Sequence, residues 1–261
     1  MTGATASRTL ADAPWLRGGG LTRLLDVLNR NGEEARVVGG AVRNAAIGLP
    51  VAEIDVATTA LPEEVVKRAS EAGFKPVPTG IEHGTVTVVI DGEPFEVTTL
   101  RRDIETDGRH AKVAFGRDWQ EDARRRDFTI NALSAGRDGK VYDYVGGLAD
   151  LDKRRVRFIG DPQKRIEEDY LRILRFFRFH ASYSEGGHPD TEGLAACIAG
   201  RDGLDQLSRE RVRMEMMKLV IAQHAVPTLI AMADSGLLLR VLGGVSYLRS
   251  GEDTSELRSH S

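Results

Sequence analysis

The sequence predicts an α+β protein in which a domain with a small mixed sheet is followed by an all-helical part. Two observations lead to this prediction. Strand patterns and helix patterns are interspersed over residues 20–157, which indicates a small α/β or α+β domain. From Asp161 onward the strand patterns disappear, and apolar residues recur at helical spacing up to residue 242.

The first elements are a helix, a strand and a second helix. Leucines that share one helix face predict the first helix, and Asn31-Gly32 ends it. Residues 35–38 predict a buried strand that runs into Gly39-Gly40. A helix over residues 42–46 then ends before Pro50. The leucines of the first helix are Leu21, Leu24, Leu25 and Leu28.

The rest of the first domain is expected to complete the sheet. Residues 52–57 predict a second strand, and residues 61–64 open a helix with a proline and two acids in its first turn. Residues 85–90 and 94–100 predict a hairpin, because Asp91-Gly92 between them favours a tight two-residue turn.

The second part is predicted to be helical throughout, with residues 158–242 as its bounds. Apolar periodicity predicts helices over residues 166–180, 194–199, 210–223 and 226–239. Residues 1–19 are expected to be frayed or disordered, and residues 243–261 form a polar tail without the apolar content of a packed domain.

Composition excludes several classes of protein. The 261 residues are 41% hydrophobic and 29% charged, and no apolar run approaches the roughly 20 residues that cross a bilayer. The N-terminus does not have the pattern of a secretory signal. A single cysteine, Cys197, excludes an intramolecular disulfide and is expected to be buried. A cytoplasmic location is therefore expected.

Charge alone does not decide whether the protein binds nucleic acid. The net charge of −3 argues against a general nucleic-acid coat. Residues 153–178 nevertheless carry more than twice as many Lys and Arg as Asp and Glu. Such a run is either a solvated helix face or a surface that contacts phosphates, and composition leaves both open.

Two neighbouring patterns suggest phosphate chemistry. Glu53 and Asp55 are two residues apart on the predicted strand, so both carboxylates would leave the same face and could bind one or two Mg²⁺ ions. Upstream, Gly39-Gly40 lies between a strand and a helix start, where backbone N–H groups and the helix dipole favour an anion. Arg43 would add a cation one turn later. Each pattern alone is also typical of an ordinary strand edge or a tight turn.

Several segments, taken in order, resemble class II tRNA nucleotidyltransferases and bacterial poly(A) polymerases, specifically the head and neck portion of that family. The most specific is Arg-Arg-Asp-Phe-Thr-Ile-Asn-Ala at residues 125–132, which is similar to the family's sugar-binding motif. Glu-Asp-Tyr-Leu-Arg-Ile-Leu-Arg at residues 168–175 resembles its base-reading motif. The other matching segments are residues 39–43, 53–58, 95–101 and 143–151.

The resemblance implies a polymerase-β-like nucleotidyltransferase head over residues 20–157 and a nucleotide-recognising neck. It implies Mg²⁺ as cofactor, with Glu53 and Asp55 as ligands. Glu96, on the neighbouring predicted strand, is a weaker candidate for a third carboxylate. Asp169 and Arg172 would imitate a Watson–Crick edge and accept cytosine or adenine. The remaining residues implied in nucleotide binding are Gly39, Gly40, Arg43, Arg125, Arg126, Asp127, Asn131, Arg175 and Arg178.

The implied activity is addition of CMP and AMP from CTP and ATP to the 3′ end of tRNA. Poly(A) polymerase, or an enzyme that adds only CC or only A, shares all these motifs, and a catalytically silent remnant is a third possibility. Two residues depart from the family pattern, since Glu53 and Asn44 stand where it has Asp. The body and tail domains of the family are expected to be absent.

Overall fold

The computed structural model describes residues 8–103 and 113–243. The chain divides into two compact units, Met1–Asp152 and Lys153–Ser261. The division falls five residues before the predicted boundary at residue 157. Within the described residues, no helix is both long and apolar enough to cross a membrane. The predicted polar tail lies outside the described residues from position 244 onward.

In its described residues, the first unit combines helices with short strands. Its helices are α1 (Gly19–Leu28), α2 (Gly40–Ala46), α3 (Pro62–Glu71), α4 (Trp119–Arg124) and α5 (Gly147–Asp152). Its strands are β1 (Ala35–Val38), β2 (Asp55–Thr58), β3 (Lys75–Gly80), β4 (Thr85–Ile90), β5 (Glu93–Thr99), β6 (Arg101–Asp103), β7 (Val113–Phe115), β8 (Ser134–Ala135) and β9 (Val141–Tyr142).

The main sheet is mixed, as the sequence predicts. In the described part of the unit its strand order is β3-β4-β5-β2-β1-β8-β9. Strands β2 and β5 pair in parallel and the other neighbours pair antiparallel. The β4–β5 hairpin is confirmed, with φ of 54° at Asp91 and 86° at Gly92, the positive values that a tight hairpin turn requires. Strands β6 and β7 form a separate ribbon.

The core of the first unit lies where the amphipathic helices meet the sheet. All four leucines that predicted α1 are at most 3% exposed. Helix α3 contacts α1 as well as β3 and β4. Residues of β4 are alternately buried and half-buried, because successive side chains of a strand point to opposite faces.

The N-terminal segment is more ordered than the sequence indicated. The composition of residues 1–19 predicts a frayed end, but from Arg8 onward the chain packs against the unit. Leu10 and Leu16 are 8% and 4% exposed. The Leu10 N–H donates to the Gly139 carbonyl at 2.7 Å, and Thr9 bridges to Lys140 beside β9. The segment is therefore ordered by pairing at the edge of the sheet and by two buried leucines. Its composition alone would predict disorder.

The second unit is helical, as predicted. Its helices are α6 (Pro162–Glu168), α7 (Leu171–Tyr183), α8 (Thr191–Ala199), α9 (Arg209–Val220), α10 (Ala225–Asp234) and α11 (Leu237–Leu242). Phe176 is central to the core and lies 5.3 Å from the ring centroid of Phe158 and 5.4 Å from that of Phe177. Cys197 is buried, as expected, and burial raises the pKa of its thiol.

Two predicted helices are each divided in the structure. The helix predicted over residues 166–180 is interrupted at Asp169, whose φ of −160° and ψ of 106° are extended. The helix predicted over residues 226–239 stops before Gly236, whose φ of 73° is left-handed. In both places apolar periodicity continues across the break, so periodicity alone does not reveal it.

Candidate active site

The sheet register brings two acids and the glycine turn to one end of three neighbouring strands. Val38, the last residue of β1, pairs with Asp55, the first residue of β2. Asp55 pairs in turn with Glu96 of the parallel strand β5. Paired residues of adjacent strands project from the same face, so the Asp55 and Glu96 side chains are neighbours. Gly39 follows Val38 directly.

Glu53 lies outside the strand on which the sequence predicts it. The spacing of Glu53 and Asp55 predicts one shared strand face, but β2 begins only at Asp55, so Glu53 belongs to the preceding loop. That placement is a correction, because the strand's first backbone pairing is at Asp55. Glu96, the weaker candidate, is the residue that pairing sets beside Asp55.

The electrostatics of Asp55 reflect this crowding. The residue keeps an exposed surface, yet protein atoms surround its carboxylate closely. This partial burial raises the pKa of Asp55 first, the charges of Glu96 and Glu53 raise it further, and Arg126 acts in the opposite direction. A cation bound here would relieve the repulsion. Within residues 8–103 and 113–243, no three His, Cys, Asp or Glu side chains already form a metal-ready cluster.

The turn at Gly39 depends on a backbone conformation that favours glycine. Its φ of 66° and ψ of −123° are accessible to glycine but strained for other residues. A Cβ at Gly39 would also lie 3.6 Å from Nη1 of Arg126. The Gly39 N–H donates to the Leu133 carbonyl at 3.0 Å, so this group is engaged within the protein. Gly40 begins α2.

Arg43 lies inside the protein, where the sequence suggested a cation facing phosphate. It is 7% exposed, and its Nη1 donates to Oδ1 of Asn131. The Asn131 amide donates in turn to Asp127 Oδ1 at 3.0 Å. Arg43 also donates from Nε and Nη2 to the Asn44 side chain, at 3.2 and 3.1 Å. Arg43, Asn131 and Asp127 therefore form one hydrogen-bonded chain that ties α2 to the Arg-Arg-Asp segment.

Asp122, which sequence reasoning missed, holds both arginines of that segment. Arg125 Nη2 lies 2.7 Å from Asp122 Oδ1, and Arg126 Nη2 lies 3.1 Å from Oδ2. Asp122 is 3% exposed. Burial by itself raises the pKa of Asp122, but the charges of Arg126 and Arg125 outweigh it and bring the pKa below its ordinary value. The available signal was its spacing of three and four residues from the two arginines on a helix.

Arg101 is a third arginine near Asp122 and contacts it through its backbone. Its backbone N–H donates to Asp122 Oδ1 at 3.3 Å, and its Nη2 donates to Thr85 Oγ1 at 3.3 Å. Burial, followed by the charge of Arg125, lowers the pKa of Arg101. Three arginines therefore lie near one buried carboxylate. The resulting excess of positive charge suits an anionic ligand.

In the second unit, the side chains of Asp169 and Arg172 do not pair with each other. Asp169 Oδ2 accepts from Nη2 of Arg211 at 2.8 Å, and Oδ1 accepts from the Leu171 N–H at 3.1 Å. Arg172 Nη1 donates to Glu168 and, at 2.8 Å, to the Arg165 carbonyl. The simple helix salt bridge that the spacing allowed is therefore absent from this described segment, because the helix is broken at Asp169.

Arg175 and Arg178 of α7 converge on a carboxylate of α9. Arg178 Nε donates to Glu215 Oε2 at 2.5 Å, and Arg175 Nη1 lies 3.9 Å from Glu215 Oε1. Glu215 is 6% exposed. The Arg178 guanidinium also lies 4.1 Å from the Phe179 ring centroid. These contacts fix both arginines to the packing of α7 against α9.

Comparison with known proteins agrees with the fold and the motifs. Residues 35–157 match the model of the poly(A) polymerase head domain, and residues 188–248 match that of a probable RNA- and SrmB-binding site of polymerase A. The mitochondrial CCA tRNA nucleotidyltransferase 1 of Danio rerio is 45% identical over 84% of this chain and 51% of its own length. The chain belongs to the tRNA nucleotidyltransferase and poly(A) polymerase family.

Two further relatives support membership of this nucleotidyltransferase family. The CCA-adding enzyme of Bacillus cytotoxicus is 38% identical over 88% of this chain and 56% of its own length. The crystal structure of the Bacillus stearothermophilus CCA-adding enzyme in complex with CTP superposes with a TM-score of 0.74. It is 36% identical, and the match covers 83% of this chain and 52% of that one. The chain thus spans about half the length of the curated relatives it matches.

Most of the candidate residues fall within the two matched ranges. The head-domain match contains the acids at positions 53, 55 and 96 and the arginines at 125 and 126, while Arg211 and Glu215 fall in the second match. The segment from Asp169 to Arg178 lies between the two. Relatives include both mitochondrial and bacterial proteins, so cellular location stays a prediction.

Proposed function

We propose that this chain adds CMP and AMP from CTP and ATP to the 3′ end of tRNA without a template and releases pyrophosphate. The observation that carries the proposal is the register of β1, β2 and β5. It sets Asp55 beside Glu96 at the strand end where the Gly39 turn begins. The names of the related enzymes supply the substrate class.

Mg²⁺ is the proposed cofactor, with Asp55 and Glu53 as ligands and Glu96 as a third. The donor chemistry fits, since hard cations prefer carboxylate oxygens and the pKa of Asp55 is raised in part by its acidic neighbours. When bound, such an ion activates the attacking hydroxyl and stabilises the leaving pyrophosphate. Asp55 and its neighbours hold negative charge at the point where the RNA 3′ hydroxyl approaches the α-phosphate.

The Arg-Arg-Asp segment is the proposed site for the nucleotide's phosphates and sugar. Arg125 and Arg126 are about three-quarters buried and are oriented by Asp122, so they need little reordering to bind phosphate oxygens. Asp127 and Asn131, which are hydrogen-bonded to each other, are the proposed partners of the ribose hydroxyls. Arg43 acts through Asn131, and the Gly39-Gly40 turn allows close backbone approach.

Asp169 and Arg172 are the proposed readers of the base. Asp169 would accept from the exocyclic amine that cytosine and adenine share, whereas uracil and guanine present a carbonyl there. Each now bonds to another side chain, Arg211 and Glu168 respectively, so an incoming base replaces existing partners. Arg175 and Arg178 are proposed to maintain this geometry through Glu215.

The test offers the purified chain labelled CTP, ATP, UTP or GTP together with a tRNA that lacks its terminal CCA. We expect Mg²⁺-dependent incorporation from CTP and then ATP, none from UTP or GTP, and complete loss in EDTA. Absence of incorporation from every nucleotide, at high tRNA concentration and with Mg²⁺ present, would contradict the proposal. Continued adenylation of an unrelated RNA would instead indicate poly(A) synthesis.

A further inference from the structure

Arg101, the first residue of β6, takes no part in the nucleotide site proposed above. Its Nη2 donates to Thr85 Oγ1 at 3.3 Å, and its side chain makes no ion pair among the described residues. Within the same residues neither Nε nor Nη1 has a hydrogen-bond partner. Protein atoms enclose Nε, whereas Nη1 keeps accessible surface. The structure therefore holds a half-buried guanidinium with one outer N–H group open to a ligand.

The charges around Arg101 leave its surroundings positive. Burial lowers the pKa of Arg101 most, Arg125 and Arg126 lower it further, and Asp122 and Glu96 act in the opposite direction. Both carboxylate oxygens of Asp122 already hold Arg125 and Arg126. An anion bound at Arg101 would therefore offset the cost of keeping its charge in a partly buried place.

Arg101 contacts the same sheet face that carries the proposed Mg²⁺ ligands. Its partner Thr85 pairs with Thr98 of β5, and their hydroxyl oxygens lie 3.2 Å apart. Thr98 is two residues along β5 from Glu96, so both side chains leave one face, and Glu96 pairs with Asp55. This face of β5 is open, since Glu96 is exposed and Thr98 half-buried. From β2 to β4 it extends two strand spacings, or about 10 Å.

The sheet order decides from which side the RNA approaches. Strand β2, which begins with Asp55, lies between β1 on one side and β5 and then β4 on the other. The Gly39 turn follows β1 and lies beside Arg126, so the proposed triphosphate site is on the β1 side. In phosphoryl transfer the attacking and leaving oxygens lie roughly in line. Pyrophosphate that leaves toward β1 therefore requires the RNA hydroxyl to approach from the side of β5 and β4, where Arg101 contacts Thr85.

We propose that Arg101 binds a backbone phosphate near the 3′ end of the RNA strand that the enzyme extends. This inference rests on the proposed function. Nη1 donates to a phosphate oxygen, while Thr85 holds Nη2 and so fixes the guanidinium. A phosphate contact carries no base information, so it serves each addition equally although the terminal nucleotide changes.

The kinetic test compares two variants of β6 that each remove one arginine. Arg101→Ala should raise the KM for RNA about tenfold and leave the KM for CTP near wild type, because the lost contact is to RNA. Arg102→Ala is the matched control, since the exposed Arg102 side chain leaves the opposite face of the strand. Both of its KM values should stay near wild type. A rise in the KM for CTP in place of that for RNA would assign Arg101 to the triphosphate and overturn the proposal.

Binding without reaction gives a second readout. The probe is a labelled single-stranded RNA ending in cytidine-cytidine, and its anisotropy is measured over a series of salt concentrations. The slope of log affinity against log salt should be shallower in Arg101→Ala by about 0.7, the value of one phosphate contact on a single strand. Equal slopes in the folded variant and the wild type would overturn the proposal.

Neutral methylphosphonate linkages locate the contact along the RNA. A single such linkage is placed in turn at each of the last three phosphates of the probe. At one position it should weaken binding to the wild-type protein about tenfold, and the same linkage should cause no further loss in Arg101→Ala. If no position weakens binding to the wild-type protein, the proposal is overturned whether or not the variant folds.

Failure of the proposed function would look different. If the wild-type protein incorporates no nucleotide but one neutral linkage weakens binding only when Arg101 is present, transfer is wrong and the phosphate contact stands. If the wild-type protein incorporates CMP normally and Arg101→Ala keeps the wild-type KM for RNA, the phosphate contact is wrong and transfer stands.

Discussion

The ionised side chain of Asp55 destabilises the folded protein. Burial and two acidic neighbours disfavour its ionised form, and Arg126 compensates only in part. A group whose folded pKa is raised destabilises the fold as pH rises through that value. The ionised carboxylate that metal chemistry requires is therefore unfavourable in the metal-free protein.

Asp55→Asn should separate function from stability. We expect nucleotide incorporation to fall by at least about a hundredfold, because a ligand oxygen is lost from the reacting centre. Thermal unfolding in EDTA should shift to higher temperature, because the repulsion from Glu96 and Glu53 is removed. Glu93→Gln, a change at an exposed acid of β5, is the matched control and should alter neither measurement. Full activity of Asp55→Asn would refute the assignment.

Asp122 presents the opposite case, since its pKa is lowered by Arg126 and Arg125. The stability that it contributes is present above about pH 4, the ordinary range of an Asp, and is lost as pH falls through the lowered folded value. Asp122→Asn should destabilise the protein by about 1–3 kcal/mol at neutral pH. This loss of stability is smaller than that for a fully buried ion pair, because both arginines are partly exposed.

The Asp122→Asn experiment compares urea unfolding of variant and wild type at pH 7 and near pH 3. The difference should shrink in acid, because protonation removes the same charge from the wild type. In transfer assays the KM for CTP should rise, since Arg125 and Arg126 lose their orientation. A difference that is independent of pH would show that the Asp122 charge is not the cause.

Among the elements, the break between α6 and α7 has the clearest functional consequence. An uninterrupted helix would have set Asp169 one turn from Arg172 and joined them directly. The extended backbone at Asp169 instead sends its carboxylate to Arg211 of α9. The two proposed base readers therefore have their partners on different helices, Arg211 on α9 and Glu168 on α6. An incoming base can replace either partner.

Asp169→Ala should relax base selection. Discrimination against UTP relative to CTP should fall about tenfold to a hundredfold, the value of one good amine-to-carboxylate contact. The measurement is the ratio of kcat/KM for the two nucleotides. Arg211→Ala removes only the present partner of Asp169 and should retain the CTP preference. An unchanged ratio in Asp169→Ala would mean that Asp169 only orders the junction between α6 and α7.

At the scale of the molecule, the division at Asp152 predicts independent behaviour of two buried ionic centres. Asp122 belongs to the first unit and Glu215 to the second. Glu215→Gln should cost about 1–3 kcal/mol because Arg178 loses its charged partner. The double variant Asp122→Asn with Glu215→Gln should lose the sum of the two effects within about 0.5 kcal/mol. Calorimetry checks this, and a larger deviation would show that the units are energetically coupled.

The sequence predicted those features that local patterns encode. The β4–β5 hairpin, the leucine face of α1 and the helical second unit follow from turn chemistry and periodicity. The ordered N-terminal segment could not be predicted, because its order comes from pairing with a strand edge over a hundred residues away. The break at Asp169 was also missed, because apolar spacing continues through it.

Local sequence patterns also predicted only part of the candidate site. Motifs indicated Asp55, Gly39 and Arg126, which the structure brings close together. They did not indicate that Arg43 is buried against Asn131, or that Asp122 holds two arginines. Side-chain partners depend on tertiary packing, so a motif identifies a residue without fixing what it touches.

The parallel pairing of β2 with β5 also has a consequence for the order of folding. Hairpin β4–β5 is local and can form early, whereas β2 must find β5 across the intervening helix and two strands. Asp55 and Glu96 meet only in that later step, so their mutual repulsion opposes closure of the sheet. We expect Asp55→Asn to refold faster than wild type in stopped-flow experiments without divalent cations. The acids that serve the proposed reaction would then delay the assembly of the sheet that carries them.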